Sequence, residues 1–192
     1  MFSLTRPNQD TIDVALNRAA GLPAACPNLL SLRDGLTATK PPWGFAHDVS
    51  LSQIGKGESA FARARLAMEQ WAEFDLGWVR VANPTADVRK GELVAVEAHT
   101  VGLWSLNLSR IVETVNTPDR IGFLYATTAL HIEEGQERFL IELDRSSGRV
   151  LYLIEAVSRP RHLLARLGWP LGRAMQSRFR RDSHARMRRS DR

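Results

Sequence analysis

The sequence has a single cysteine, no long apolar run and no secretory leader, and each absence excludes a class of protein. Cys26 alone cannot form an intrachain disulfide or a multi-cysteine metal site, and one thiol is typical of a reducing compartment. No apolar run approaches the roughly 20 residues that a membrane-spanning helix needs. Residues 1–7 lack the basic start and apolar stretch of a signal peptide. We therefore expect a cytoplasmic protein without a transmembrane segment.

The motifs of common enzyme mechanisms are missing as well. The chain has no G-x-S-x-G, no Walker loop, no G-x-G-x-x-G and no H-E-x-x-H. His131 and Glu133 have the H-x-E spacing of zinc deaminases, but the P-C-x-x-C that completes such a site is absent. Cys26 has no neighbouring base to activate it, which favours a small buried or incidental cysteine. The sequence predicts neither a metal site nor a cofactor, and whether the protein is an enzyme stays open.

The composition is that of one folded domain. The chain has 192 residues, 44% of them hydrophobic and 24% charged, close to the average of globular proteins. Residues 1–42 are expected to form an N-terminal helix and an irregular extension, because four prolines and two glycines interrupt residues 21–42. Residues 43–182 are predicted to form the core, and residues 183–192 a basic tail that frays.

Hydrophobic periodicity predicts two helices in the first half of the chain and a sheet after them. Apolar residues recur at helical spacing in residues 9–20 and 58–73. One strand is predicted before the second helix, at 45–54. The strands predicted after it are 76–82, 92–100, 103–115, 120–128, 137–144 and 149–158. The short spacers between consecutive strands favour antiparallel hairpins.

A last helical region is predicted after Pro160, with a break near Gly168 and Pro170. Its apolar side is expected to lie on the sheet, with the arginine side outward. That apolar side comprises Leu163, Leu164, Leu167, Leu171, Ala174, Met175 and Phe179. The predicted fold is therefore α+β, a helix-grip fold in which an antiparallel sheet of six to seven strands curves around a long, broken C-terminal helix. A split antiparallel α+β sandwich is the alternative.

Several segments also resemble a known family of unknown function. They are Leu76-Gly77-Trp78-Val79, residues 102–107, Arg110-Ile111-Val112, residues 123–131, residues 134–139, Ser158-Arg159-Pro160 and residues 164–168. In this order they resemble the "domain of unknown function nineteen-ninety" family over residues 45–179. That family is similar to the START and pollen-allergen-like helix-grip superfamily. The resemblance implies a cavity between sheet and long helix that holds apolar molecules, and it implies no established activity.

Polar side chains interleaved with aromatic ones on the predicted strands are the candidates for lining such a cavity. A small-molecule pocket is mostly apolar, with a few convergent polar groups. The candidates are Trp78, His99, Trp104, Asn107, Arg110, Tyr125, His131, Arg138 and Glu142. The arginines could hold a ligand carboxylate, and the histidines could move a proton near neutral pH. In the alternative, the tryptophans belong to the hydrophobic core, and the arginines and Glu142 form pairs on the outer face of the sheet. The histidines are then either hydrogen-bonded within the protein or exposed to solvent.

Positive charge is concentrated at the C-terminal end. Residues 159–192 hold eleven arginines and two aspartates, whereas the preceding residues hold 15 basic and 19 acidic groups. The tail lacks the interleaved aromatics that stack on single-stranded nucleic acid, which disfavours nucleic-acid binding. Two interpretations of the tail stay open: it contacts an anionic membrane surface, or it is a basic face exposed to solvent.

The leading hypothesis is a protein that binds a small hydrophobic molecule between the sheet and the C-terminal helix. An enzyme on the same scaffold is the first alternative, an isomerase, cyclase or hydrolase of a hydrophobic substrate with a histidine or glutamate as general acid or base. The second alternative is a peripheral interaction module that uses the basic C-terminal helix. The fold alone does not decide among the three.

Overall fold

An eight-stranded antiparallel sheet organises the chain in the computed structural model, which describes residues 1–26, 28–36, 40–161 and 168–189. The strands are β1 (Phe2–Ser3), β2 (Ala46–Lys56), β3 (Val79–Val81), β4 (Leu93–Thr100), β5 (Leu103–Asn116), β6 (Arg120–Thr127), β7 (Glu133–Leu143) and β8 (Arg149–Pro160). The α-helices are α1 (Gln9–Ala20), α2 (Glu58–Glu69) and α3 (Trp169–Arg189). Short 3-10 helices occupy Leu32–Asp34 and Ala72–Phe74. No helix among these residues is long and apolar enough to cross a membrane.

The strand order is β2-β8-β7-β6-β5-β4-β3, with β1 beside β5. Strands β3 to β8 follow one another as hairpins, and β2 returns to β8, where Ala46 lies opposite Ser158. The predicted antiparallel meander and helix-grip fold are confirmed. Two strands, β3 and β7, differ from prediction by three or more residues at one end, and β1 was not predicted. Strand β7 begins at Glu133 because β8 pairs with it along its whole length, and β3 is short because Gly77, with φ +78°, turns the chain just before it.

One face of the curved sheet, called here the concave face, is covered by α2, the Ala72–Phe74 turn and α3. Phe61 and Met68 of α2 are buried in its core beside Phe123 and Phe139 of the sheet. The predicted helix 58–73 ends early because Trp71 has the left-handed φ of +59° and turns the chain into the 3-10 helix. The apolar end of the concave face is thereby closed by tightly packed side chains.

Helix α3 corrects two predictions about the C-terminal end. Residues 183–189 do not fray: they are helical, and Met187 is 0% exposed. The buried stripe runs through Phe179, Ser183 and Met187 at intervals of four residues, and the small polar Ser183 conceals it in the sequence. Leu171 is 48% exposed, so the predicted stripe is wrong at that position. Pro170 lies in the first turn of α3, as predicted, whereas the helical residues predicted before it, 162–167, and residues 190–192 lie outside the described residues.

The opposite face, called here the convex face, is covered by residues from the first 36 of the chain. Ile12 and Ala15 of α1 pack against Leu106 and Leu108 of β5. Leu30 and Leu32 pack further along the sheet, in a cluster with buried side chains of β6, β7 and β8. The N-terminal residues are therefore a layer of this domain rather than a separate extension.

Candidate functional site

The concave face changes from apolar to polar along each of its central strands. On β6 the side chains that face α3 run from Phe123 through Tyr125 to Thr127, and on β7 from Phe139 through Glu137 to Glu133. Alternate residues of a strand share one face, so both runs lie on the same surface. We call the polar part of this surface the polar half. It comprises Ser105, Asn107, Ser109, Tyr125, Thr127, Glu133, Glu137 and Ser158.

Part of the polar half borders accessible space. Asn107, Glu133 and Glu137 are half-buried, whereas the apolar residues that continue the same strands are buried. Apolar side chains surround these groups, since Val96 of β4 and Phe179 of α3 are also half-buried and pack against the core. We call the polar half, together with the first half of α3 that lies against it, the cleft. It has an apolar rim and a polar floor.

The strongest polar contact on this floor joins Tyr125 and Glu137, which lie opposite each other on β6 and β7. The Tyr125 hydroxyl donates to Glu137 Oε2 at 2.5 Å, while Oε1 has no hydrogen-bond partner among the described residues. Burial raises the pKa of Glu137 to about 7, against the opposing effect of the tyrosine hydrogen bond. Both protonation states of this carboxyl are therefore present near neutral pH, which is what proton transfer requires.

Side chains of α3 hold the helix over the cleft through carboxylates of the sheet. Arg173 Nη2 donates to Asp48 Oδ1 at 2.7 Å, and Arg180 Nη2 lies 3.0 Å from the same oxygen. Gln176 Nε2 donates to Glu133 at 2.9 Å, and burial raises the pKa of Glu133. The prediction that the arginines of this helix face outward is wrong for Arg173 and Arg180. Both form ion pairs with Asp48 on β2, which faces α3.

Under the second half of α3 lies a closed polar layer. The Tyr152 hydroxyl and Ser183 Oγ are 3.2 Å apart, and Ser50 Oγ and His184 Nε2 are 2.8 Å apart. Glu73 is 0% exposed, and neither of its side-chain oxygens has a partner among the described residues. Burial raises the pKa of Glu73 to about 8, so this carboxyl is mostly protonated at neutral pH. Glu73, Tyr152 and Ser183 are 0% exposed and Ser50 is half-buried, and the layer is not part of the cleft.

The structure places three predicted site residues on the α3 side. Asn107 and Tyr125 lie in the polar half, and the buried Asn107 Oδ1 has no partner among the described residues. Trp78 is half-buried against the core, and its Nε1 donates to Asp182 of α3 at 3.1 Å. Arg178 lies 4.4 Å above the Trp78 ring, so this tryptophan fastens α3 to the start of β3.

Three other predicted residues do not face α3, and the expectation that they line the cavity is wrong. Arg110 donates to the carbonyl oxygens of Ala19 and Ala20 at 3.0 and 2.9 Å, at the end of α1. Arg138 and Glu142 also lie on the convex face. Their ion-pair partners are Glu155 and Arg120, respectively. The pairing of arginine and glutamate on the outer face is the alternative stated above; the Arg138–Glu155 pair is buried, whereas Arg120 and Glu142 are half-buried.

His99 and Trp104 also lie on the convex face, where their rings stack with centroids 4.5 Å apart. Arg6 of the N-terminal layer lies over Trp104 at 5.4 Å. His131 lies in the turn between β6 and β7, and its Nδ1 accepts a hydrogen bond from the Glu133 amide at 3.0 Å. Burial lowers the pKa of His131 to about 4, which disfavours proton transfer by this histidine near neutral pH.

The sequence analysis missed the carboxylates of the concave side, namely Asp48, Glu73, Glu133 and Glu137. One signal was available. Glu137, Phe139 and Ile141 occupy alternate positions of a predicted strand, so the glutamate lies on the same face as the two apolar residues. A glutamate in that series is a buried acid. Asp48 and Glu73 carry no comparable signal, since their burial depends on where α3 lies. Among the described residues, no three histidine, cysteine, aspartate or glutamate side chains are grouped so that they could hold a metal ion.

Two other surface features compare poorly with the cleft. A shallow groove of ≈ 300 Å³ runs between Met1 and α1, but it is lined by exposed side chains such as Val14, which is 58% exposed. The arginines of α3 have partners within the chain: Arg178 and Arg181 pair with Asp182, and Arg186 pairs with Asp75. Neither feature collects buried polar groups, which makes the cleft the candidate site.

Comparison with known proteins places the chain in a family. A family model described as "Domain of unknown function (DUF1990)" matches residues 33–186, which include β2 to β8 and most of α3. A UPF0548 protein of Dictyostelium discoideum is 31% identical over 199 residues, covering 95% of this chain and 92% of the relative. A UPF0548 protein of Arabidopsis thaliana is 28% identical over 146 residues, covering 73% of this chain and 70% of the relative.

Solved structures share the fold at low sequence identity. The Zhui aromatase/cyclase from Streptomyces sp. R1128 has a TM-score of 0.53 and 11% identity, covering 77% of this chain and 93% of that structure. TTHA0849 from Thermus thermophilus has a TM-score of 0.52 and 9% identity, covering 76% of this chain and 97% of that structure. These similarities establish the helix-grip fold and no activity.

Proposed function

The chain belongs to the DUF1990 family, and from the geometry of its cleft we propose that it binds a small hydrophobic molecule between the sheet and α3. One observation carries the proposal. Asn107 Oδ1, on the floor of the cleft, is buried and has no hydrogen-bond partner among the described residues. Because an unpartnered buried acceptor costs about 1–3 kcal/mol, a bound donor there is favourable.

The surroundings of this atom define the class of ligand. Val96, Ala98 and Phe179 provide apolar surface, so most of the molecule should be hydrocarbon or ring. The Asn107 acceptor on β5 and the partly protonated Glu137 on β7 are separated by β6, which suits a ligand with hydroxyl or carbonyl groups at separate positions. Such a molecule would bury its apolar body under α3 and direct one polar group to β5 and another to β7.

The same scaffold occurs in an aromatase/cyclase, but at 11% identity that likeness carries no residue over to this chain. Binding is therefore inferred from the residues of the cleft alone. The charges of α3 do not favour the peripheral-interaction alternative, because several of its arginines pair with acidic residues of the same chain.

Native mass spectrometry of the freshly purified protein, compared with its denatured mass, tests the proposal. We expect an additional mass that denaturation releases. Asn107→Leu removes the floor acceptor at nearly constant volume and should lose this mass, whereas Glu142→Gln, on the convex face, should retain it. A wild-type protein that carries no additional mass and does not bind anilinonaphthalene sulfonate saturably would contradict the proposal.

A further inference from the structure

We infer that the cleft catalyses proton transfer, with Glu137 as the general base toward a carbon acid and Tyr125 as its positioning residue. The inference rests on the proposed function, because the substrate must first occupy the cleft. It adds an activity to that function and assigns a chemical class to the ligand: a hydrophobic molecule with an acidic C–H bond, such as one beside a carbonyl group.

The two residues are arranged so that one carboxylate oxygen is fixed and the other is free. Tyr125 and Glu137 lie opposite each other in the β6–β7 register, and the hydroxyl donates to Oε2 at 2.5 Å. A carboxylate held in this way by a rigid strand has a defined direction for its remaining lone pairs. Oε1 has no partner among the described residues, and Glu137 retains accessible surface, so a bound molecule can approach it.

The charges around Glu137 match this task. The groups that face it are Tyr125 from β6, Glu133 from β7, Asp48 from β2 and Arg180 from α3. Burial and the two neighbouring carboxylates raise the pKa of Glu137, whereas Tyr125 and Arg180 lower it, and the balance is about 7. A base of this strength is ionised in a large fraction of molecules at neutral pH and is stronger than an ordinary carboxylate.

The reaction needs no further reactant. The proton of the substrate C–H bond moves to Glu137 Oε1, and the electron pair of that bond remains on the substrate as an enolate. In a substrate whose double bond is conjugated with the enolate, the same proton then returns to the far carbon atom of that system, which gives a double-bond isomer and restores the carboxylate. Nothing is oxidised or reduced, and no covalent bond forms between the protein and the substrate.

Nitrobenzisoxazole is the probe, because its decomposition requires only a base. The base removes the ring C–H proton, the N–O bond breaks, and a coloured nitrophenolate nitrile forms. We expect the wild-type protein to accelerate this reaction over an equal concentration of acetate, with a rate that rises through about pH 7, the pKa of Glu137. Glu137→Gln should lose about 100-fold or more of that acceleration, as expected for removal of a general base.

Tyr125→Phe separates positioning from a merely structural role. Without the hydroxyl the charged carboxylate loses a hydrogen bond, so the midpoint of the pH profile should move upward. Glu142→Gln on the convex face should leave both the rate and the midpoint unchanged. A wild-type rate no greater than that of Glu137→Gln, or a profile that Tyr125→Phe does not move, would overturn the inference. The native mass comparison decides binding separately, so a protein that retains its ligand but lacks base activity remains a binder without catalysis.

Discussion

The two faces of the sheet both bury polar side chains, but they differ in whether those side chains have partners within the chain. On the convex face, Arg138 and Glu155 are both 0% exposed and paired, and Arg138 Nη1 also donates to the Ser31 carbonyl at 2.6 Å. On the concave face, Glu137 and Asn107 each keep an acceptor without a partner among the described residues. Buried ion pairs therefore hold the N-terminal layer against the convex face, whereas the unpartnered acceptors of the concave face are those to which the proposed ligand would donate.

The largest expected effect lies on the convex face. Arg138→Leu leaves the buried Glu155 without its arginine partner, although His47 remains at 2.7 Å, and should lower the free energy of unfolding by about 3–5 kcal/mol. The double variant Arg138→Leu/Glu155→Leu should recover much of that loss, since it removes both charges. Urea denaturation of the three proteins measures these values. A single-variant loss below about 1 kcal/mol would show that this pair does not hold the layer.

The next effect tests how α3 closes the concave face. Met187→Ala should cost about 2–5 kcal/mol, because the side chain is 0% exposed in the core and its removal leaves a cavity. Leu171→Ala is the matched control on the same helix, 48% exposed, and should change stability by less than about 0.5 kcal/mol. Equal effects of the two substitutions in thermal unfolding would mean that the last turns of α3 do not pack as described.

The smallest effect concerns the closed polar layer under the second half of α3. The pKa of Glu73 is raised from 4.5 to about 8 in the folded protein, so its contribution to stability is complete below the unfolded value and is lost as the pH rises through about 8. The loss begins above about pH 4.5 and continues to about pH 8. Glu73→Gln should make stability depend less on pH in that window. The exposed Glu58→Gln should not, and an unchanged slope in Glu73→Gln would place the carboxyl in water.

Most of the fold could be predicted because local signals agree with the tertiary structure. Alternating apolar residues and short turns indicate the hairpins, and Phe61 and Met68 indicate the buried side of α2. The C-terminal packing could not be predicted, because Ser183 interrupts the apolar stripe between Phe179 and Met187. Its burial depends on a partner far along the chain, the Tyr152 hydroxyl, at 3.2 Å from Ser183 Oγ.

The candidate site was harder to predict for a different reason. Arg110 and Arg138 were expected to meet a ligand, yet both donate to backbone carbonyls of the N-terminal layer. An arginine on a strand indicates that something polar faces it, but not whether that partner is a ligand or another part of the chain. Tyr125 and Asn107 were among the candidates. Glu137, which lies opposite Tyr125, was not, although it is two residues from Phe139 on the same strand and therefore shares its buried face.

The pairing of β2 with β8 also determines when the protein can fold during synthesis. Ala46 has its partner at Ser158, so the ribosome must translate the strands between them before the sheet can be completed. Until then β2 is an unpaired strand with Val49 and Leu51 on one side, and β7 is an open edge. Such edges pair readily with other chains, so a nascent chain that stalls before β8 is the form of this protein most prone to aggregate.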